Sequence, residues 1–186
     1  MIYVIKSLRI LGKGRRKVKV YKLVDDNLLI REITEKDIEL IRKWRNQADI
    51  RQYFIDNNYI DKNQQKEWFK KYSQKKDDIM FVIEETLEFK KVIGTVALYN
   101  IDSKNNSVEF GRLMIGHLPY IGKGFGKKAT ILACKYAFEI LSVSEIYLNV
   151  LSHNVKAIQL YCDIGFIKKN VSSDRIYMML SRDAFF

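Results

Sequence analysis

Three glycines at alternate positions, Gly122, Gly124 and Gly126, alternate with Lys123, Phe125 and Lys127, between an apolar segment ending at Ile115 and a helical pattern that begins near Gly124. Residues without side chains let backbone N–H groups approach a phosphate, and the positive end of a helix adds attraction. Lys123 and Lys127 can add full charges. Two other phosphate-binding patterns do not fit. A P-loop needs Gly, four residues, then Gly-Lys-Ser/Thr, whereas Lys123 precedes a glycine and Lys127 precedes Lys128. A dinucleotide fingerprint needs its glycines directly after the strand and an acid at the end of the next one. Here residues 116–121 intervene, and Glu145 begins the next strand. On spacing alone the segment is either a diphosphate cradle or a loop whose glycines open a helix.

The other reactive residue types offer less. His117 and His153 fall in loops with no carboxylate spaced to orient them, so neither is expected to be catalytic. Cys134 and Cys162 lie too far apart for a zinc pattern and are too few for a disulfide framework. Both are expected as buried free thiols in a reducing cytoplasm, and no metal is expected.

Several elements must position the glycine segment. Residues 2–11 and 17–24, around Gly12-Lys13-Gly14-Arg15-Arg16, read as a β-hairpin, and Leu28 to Ile33 as a third strand. A helix is predicted from Thr34, with Asp37 three residues on as a capping-box partner. Its stripe is Ile38, Ile41 and Trp44. A second helix fits Asp61 to Tyr72, capped by Asp61 with Gln64, its buried face made of Trp68, Phe69 and Tyr72. Strands follow at 79–84, 92–101 and 107–115. A helix from Gly124 to Leu141 turns Leu132, Ala133, Ala137, Phe138 and Leu141 inward and Lys128, Lys135 and Glu139 to water. Residues 145–151 form a strand, Asn154 to Ile164 a helix stopped by Gly165, and 166–169 and 175–180 the closing strands. The order is mixed α/β with a largely antiparallel central sheet. Two units are expected: a basic β-hairpin extension over 1–27 and one catalytic domain over 28–186.

The glycine segment resembles motif A of the GNAT superfamily of acyl-CoA N-acyltransferases, Arg/Gln-x-x-Gly-x-Gly/Ala between a strand and a helix. Gly124 and Gly126 match its glycines; Ile121 departs from the Arg/Gln. Residues 148–166 resemble motif B through Asn154, Ala157, Leu160, Tyr161, Gly165 and Phe166. The resemblance covers about residues 28–181. It implies two parallel strands, 107–115 and 145–151, that splay apart, with acetyl-CoA as co-substrate inserted between them. Main-chain groups of Leu113, Met114 and Ile115 would then hold the pantetheine arm and polarise the thioester carbonyl. The segment Ile121, Gly122, Lys123, Gly124, Phe125, Gly126 and Lys127 would hold the pyrophosphate, and Asn154 would orient the pantetheine. Tyr161 would act as general acid and Glu109 as general base. On residue type alone, Tyr161 also fits a core tyrosine and Glu109 an ion pair on the sheet.

In this family the acceptor pocket is built by the first two helices and the loop between them. Here that region holds Trp44, Arg45, Asn46, Arg51, Gln52, Tyr53 and Phe54. Arginine with stacked aromatics suits an anionic small-molecule amine. The Trp44-Arg45-Asn46 run and residues 135–141 look similar to amino-sugar-nucleotide N-acetyltransferases of the pseudaminic acid pathway. They also resemble the acetyltransferases of ribosomal-protein N-termini, which leaves a protein N-terminus as the alternative acceptor. A polyamine fits poorly beside Arg45 and Arg51.

Composition bounds the partners. The net charge is +11, and residues 1–22 hold Lys6, Arg9, Lys13, Arg15, Arg16, Lys17, Lys19 and Lys22 without an acid. Such a segment suits an anionic partner or a solvated hairpin. Nothing matches an RNA-binding signature, so RNA binding by the basic N-terminus remains the non-enzymatic alternative. No apolar run approaches the roughly 18 residues of a membrane span. A cytoplasmic protein is expected, with a homodimer as one possible assembly.

Overall fold

In this computed structural model the described residues are 3–9, 18–88 and 90–186, with side chains described for Val24 and from Asp26 onward. Nine strands form one sheet: β1 (Tyr3–Arg9), β2 (Val18–Asp25), β3 (Leu28–Glu32), β4 (Asp78–Glu85), β5 (Lys91–Asp102), β6 (Ser107–Ile115), β7 (Glu145–Leu151), β8 (Ile167–Val171) and β9 (Arg175–Ser181). Their spatial order is β1-β2-β3-β4-β5-β6-β7-β9-β8. Every neighbouring pair is antiparallel except β6 and β7, which run parallel. The expected turn at Gly12–Arg16 lies outside the described residues. The two strands flanking it pair with each other, and β2 pairs with β3.

The helices are α1 (Ile38–Arg45), α2 (Ala48–Arg51), α3 (Lys62–Tyr72), α4 (Phe125–Lys135), α5 (Val155–Cys162) and α6 (Arg182–Phe185). Strand side chains alternate between faces, so the sheet has two cores. One holds Ile30, Phe81, Ile83, Leu98, Phe110, Ile146 and Leu148 with Ala129, Leu132 and Phe138. The other, smaller one joins Met80, Val82, Ala97 and Met114 to Ile41 and Trp44 of α1 and Tyr72 of α3. Burying a residue such as Leu132, which has no exposed surface, contributes about 1.5–3 kcal/mol.

Three local expectations need correction. The first helix starts at Ile38 rather than Thr34, and of the expected capping pair only one half forms: the Asp37 carboxylate reaches back to the Thr34 N–H, while the Thr34 hydroxyl donates to that carboxylate instead of accepting from a backbone N–H. The Asp37 carboxylate accepts from the Thr34 N–H (2.7 Å) and hydroxyl (2.8 Å), and from both terminal nitrogens of Arg31 (2.9 Å each). Competition from such local side-chain bonds delays the helix. The helix after the glycine segment does not stay α-helical to Leu141. Residues 136–140 form a π turn in which the Leu141 N–H reaches the Tyr136 carbonyl. Cys134 is buried as expected, whereas Cys162 is exposed at the outer end of α5. The Asp61–Gln64 capping box is present with both reciprocal bonds, and Gly165 ends the α5 segment at φ +110°.

Candidate active site

The parallel pairing of β6 with β7 covers three rungs, Ser107–Glu145, Val108–Ile146 and Glu109–Tyr147. Past them both strands continue, β6 held by β5 and β7 by β9, but no longer paired to each other. The edge of β6 from Phe110 to Ile115 therefore faces an opening. Within it Arg112 adopts φ +51° where the β5–β6 register slips. This is a bulge, which bends the strand and breaks its ladder. Three contacts pin it. The Thr95 hydroxyl donates to the Arg112 carbonyl (2.8 Å). The Arg112 guanidinium forks onto Asp78 (2.7 and 2.9 Å) and lies over the Tyr99 ring, 4.5 Å from its centre. Leu113, Met114 and Ile115 follow directly. Sequence reasoning missed this lock, since an arginine in a strand gives no signal of a left-handed backbone.

A turn containing Pro119 leads to the glycine segment. Gly122 (φ +79°) and Gly124 (φ +82°) are left-handed, a region glycine enters without cost. Gly124 is the N-cap of α4. A Cβ on either would meet nothing, so these glycines serve backbone shape rather than packing. The N–H groups of Gly122, Gly124, Phe125, Gly126 and Lys127 have no acceptor among the described residues. Lys123 and Lys127 are exposed; Lys127 lies 3.7 Å from Asp163, and the Lys123 ammonium is 5.6 Å from the Tyr120 ring centre. Ile121 is exposed, while the Phe125 side chain is buried against Tyr120.

Asn154 caps α5, its side-chain oxygen accepting from the Ala157 N–H at 3.2 Å. Its amide nitrogen is left over as a donor. Two turns on, Tyr161 is buried between Phe110 and Phe166. Its hydroxyl makes no hydrogen bond among the described residues. Burial pushes this phenol well above the usual tyrosine value, with the neighbouring Cys134 adding to it. It therefore stays protonated and able to donate.

Glu109 stands at the last rung before the opening. Its Oε1 accepts from the Tyr99 hydroxyl (3.2 Å) and Asn149 Nδ2 (3.3 Å), and its Oε2 from Asn100 Nδ2 (2.8 Å). It joins no ion pair among the described residues, unlike Asp78. The histidines remain apart from carboxylates: His117 packs on Tyr120 and His153 on Tyr53. Burial, helped by Lys91, lowers the His117 pKa.

Four of the residues expected at the acceptor side, Trp44, Arg45, Asn46 and Tyr53, are not equivalent. Trp44 is buried, and a Cβ on Gly116 would overlap its indole. Asn46 is committed to the backbone, donating to the Ile60 carbonyl (2.7 Å) and accepting from its N–H (2.9 Å). Both are held in place by the fold. Arg45 lies 3.8 Å over the Phe54 ring and donates to the Asp56 carbonyl, yet its buried Nη1 has no partner among the described residues. Burial lowers its pKa; Asp56 opposes this and Arg51 reinforces it, which places a second cation nearby. Tyr53 is exposed, its ring 6.0 Å from that of His153. This contact brings the α2 region over the C-terminal end of β7. Among the described residues no cluster of metal-ligating side chains exists, and no helix is long and apolar enough to cross a membrane.

A profile for the acetyltransferase (GNAT) domain matches residues 27–167. The acetyltransferase PseH of Campylobacter jejuni (strain 81-176) is 35% identical over 151 residues, covering 81% of this chain and 90% of that protein. The spermidine N(1)-acetyltransferase of Vibrio cholerae is 29% identical over 146 residues, covering 78% and 82%. A crystal structure of spermidine N-acetyltransferase from Vibrio cholerae, in complex with CoA and spermine, superposes with a TM-score of 0.78 at 26% identity, over 87% of this chain and 99% of that one.

Proposed function

We propose, since the chain belongs to the GNAT acetyltransferase family, that this acyl-CoA-dependent N-acetyltransferase delivers the acetyl group of acetyl-CoA to the amine of a nucleotide-linked amino sugar. The residues fit the co-substrate. The amides of Gly122, Gly124, Phe125, Gly126 and Lys127, without acceptors among the described residues, suit a pyrophosphate, and the open edge of β6 suits an extended arm that hydrogen-bonds as a strand would. Main-chain groups of Leu113 to Ile115 would receive the thioester carbonyl, and Asn154 Nδ2 would donate to the arm. Glu109 takes the proton from the acceptor ammonium. The freed nitrogen attacks the carbonyl carbon, an N–C bond forms and the C–S bond breaks. Tyr161 gives its proton to the departing sulfur, and the second proton of the newly acylated nitrogen returns to the phenolate, leaving a neutral amide and a restored Tyr161.

The choice of an anionic acceptor rests on one observation. Arg45 keeps a buried nitrogen without a partner among the described residues while Arg51 adds charge beside it. A buried, unpaired guanidinium nitrogen is costly, and a phosphate or carboxylate of the acceptor would satisfy it bidentately. The similarity to PseH supports this reading. A polyamine is the second reading, favoured by the similarity to spermidine acetyltransferases and by Glu109 lacking a cation.

CoA release measured with a UDP-linked amino sugar, spermidine and an N-terminal peptide separates these. The expected result is a kcat/KM for the sugar nucleotide at least about 100-fold above the others. Arg45→Ala should erase most of that preference, because a charge-assisted pair contributes about 1.5–3 kcal/mol. Preference for spermidine, unchanged by Arg45→Ala, would assign the polyamine; preference for the peptide would assign a protein N-terminus.

A further inference from the structure

Tyr99 and Asn100 are consecutive in β5, so a regular strand would send their side chains to opposite faces. Both nevertheless reach Glu109. The reason is a second irregularity in the β5–β6 ladder, between Tyr99 and Asp102, where Asn100 adopts φ +51°. One extra residue at a bulge re-aims a side chain, and asparagine is among the few residues that tolerate a left-handed backbone.

The donors are distributed unequally over the carboxylate. An ionised carboxylate offers about four lone-pair sites. Tyr99 and Asn149 fill the two on Oε1, and Asn100 fills one on Oε2. One site on Oε2 stays open. Because both oxygens are gripped, Oε1 by Tyr99 of β5 and Asn149 of β7 and Oε2 by Asn100 of β5, the carboxylate is also held against rotation about its terminal bond.

We infer that Asn100 is a positioning residue, whose bulged backbone and carboxamide orient Glu109 so that Oε2 is the atom presented to the acceptor ammonium. This deepens the proposed function and rests on Glu109 being its base. Misplacing a reacting group by about 1 Å can cost two orders of magnitude; losing one of three donors at an exposed site should cost less.

Asn100→Gly tests the inference, since glycine keeps the left-handed backbone and removes only the carboxamide. With spermidine and a UDP-linked amino sugar as acceptor probes, kcat near neutral pH should fall about tenfold for the probe that turns over. Acetyl-CoA affinity and melting temperature should not change. As pH rises toward the amine's own pKa, the nucleophile arrives neutral and the defect should shrink. Glu109→Gln should show the same pH-dependent rescue, and the double variant should lose no more than Glu109→Gln alone. An Asn100→Gly defect that is equal at every pH, or absent while Glu109→Gln is impaired, overturns the positioning role and leaves the base intact. An unimpaired Glu109→Gln removes the base and the inference with it. A crystal structure of Asn100→Gly with the Glu109 carboxylate unmoved would also overturn the inference.

Discussion

The two sides of the opening between β6 and β7 are built by different means. On the side proposed for the cofactor the available groups are main-chain amides, shaped by left-handed Gly122 and Gly124 and by the start of α4. On the side proposed for the acceptor they are side chains collected from β5, β6, β7 and the α1–α2 region, aimed by two bulges and by Arg45 stacked on Phe54. A main-chain site depends on the absence of side chains in a short segment. A side-chain site depends on register between distant segments. The first tolerates changes in its neighbours and fails when a side chain is added within it; the second is sensitive to its supports.

The sharpest way to break the cofactor side is therefore to add bulk and negative charge to it. Gly124→Glu and Gly126→Glu should each weaken acetyl-CoA binding by more than about 100-fold in isothermal titration, since a carboxylate then competes for amides that suit phosphate. Retained affinity in both would refute the main-chain description. Next in size is the side chain on that side proposed to transfer a proton. Tyr161→Phe should lower kcat about 100-fold while leaving acetyl-CoA affinity and stability nearly unchanged, because its hydroxyl has no partner to orphan among the described residues. A kcat within twofold of the parent would make Tyr161 a packing residue.

On the acceptor side the supports are the place to probe. Asp78 is nearly inaccessible and receives the Arg112 fork, so Asp78→Asn should cost about 2 kcal/mol in denaturant unfolding by leaving a partly buried cation unpaired. It should lower kcat as well, through the bulge before Leu113. Normal stability would show that the fork does not lock that bulge. The smallest expected effect is pH-linked and concerns Asp37, which ties α1, the carrier of Arg45, to β3. Burial alone would raise its pKa, but the Arg31 fork and the two Thr34 donors outweigh it and hold it below the usual value. A carboxylate depressed on folding adds stability above its unfolded pKa of about 4, and that stability is lost as pH falls through the lower folded value. Urea unfolding of Asp37→Asn should accordingly show lower stability at pH 6 and a shallower decline below about pH 4. Parallel pH curves would exclude the linkage.

What could be read in the sequence follows the same division. The glycine spacing, the span of β6 at 107–115 and of β7 at 145–151, and the Asp61–Gln64 cap depend on residues close in the chain, and the structure has them where the pattern put them. Asn46 and Ile60 lie 14 apart, Glu109 and Asn149 lie 40 apart, and no local signal announces either pair. The bulges are harder still: Arg112 carries no mark of a left-handed backbone, and Asn100 carries only a weak one. Where Thr34 and Asp37 suggested a cap, the carboxylate did reach back to the Thr34 N–H, but it is shared with Arg31 and α1 starts at Ile38. Cys162 looked apolar by context but lies on the outward face of a two-turn helix.

The three rungs that join β6 to β7 give the molecule a mechanical seam. Six strands lie on one side of it and three on the other, and few hydrogen bonds resist their separation at that line. A ligand bridging both edges acts as a tie rod, so occupancy and stiffness become one variable. The amides of β6 beyond Glu109 exchange with solvent protons most readily when the slot is empty. Tension applied across the sheet would part the seam before any antiparallel ladder, and a filled slot would raise the force required.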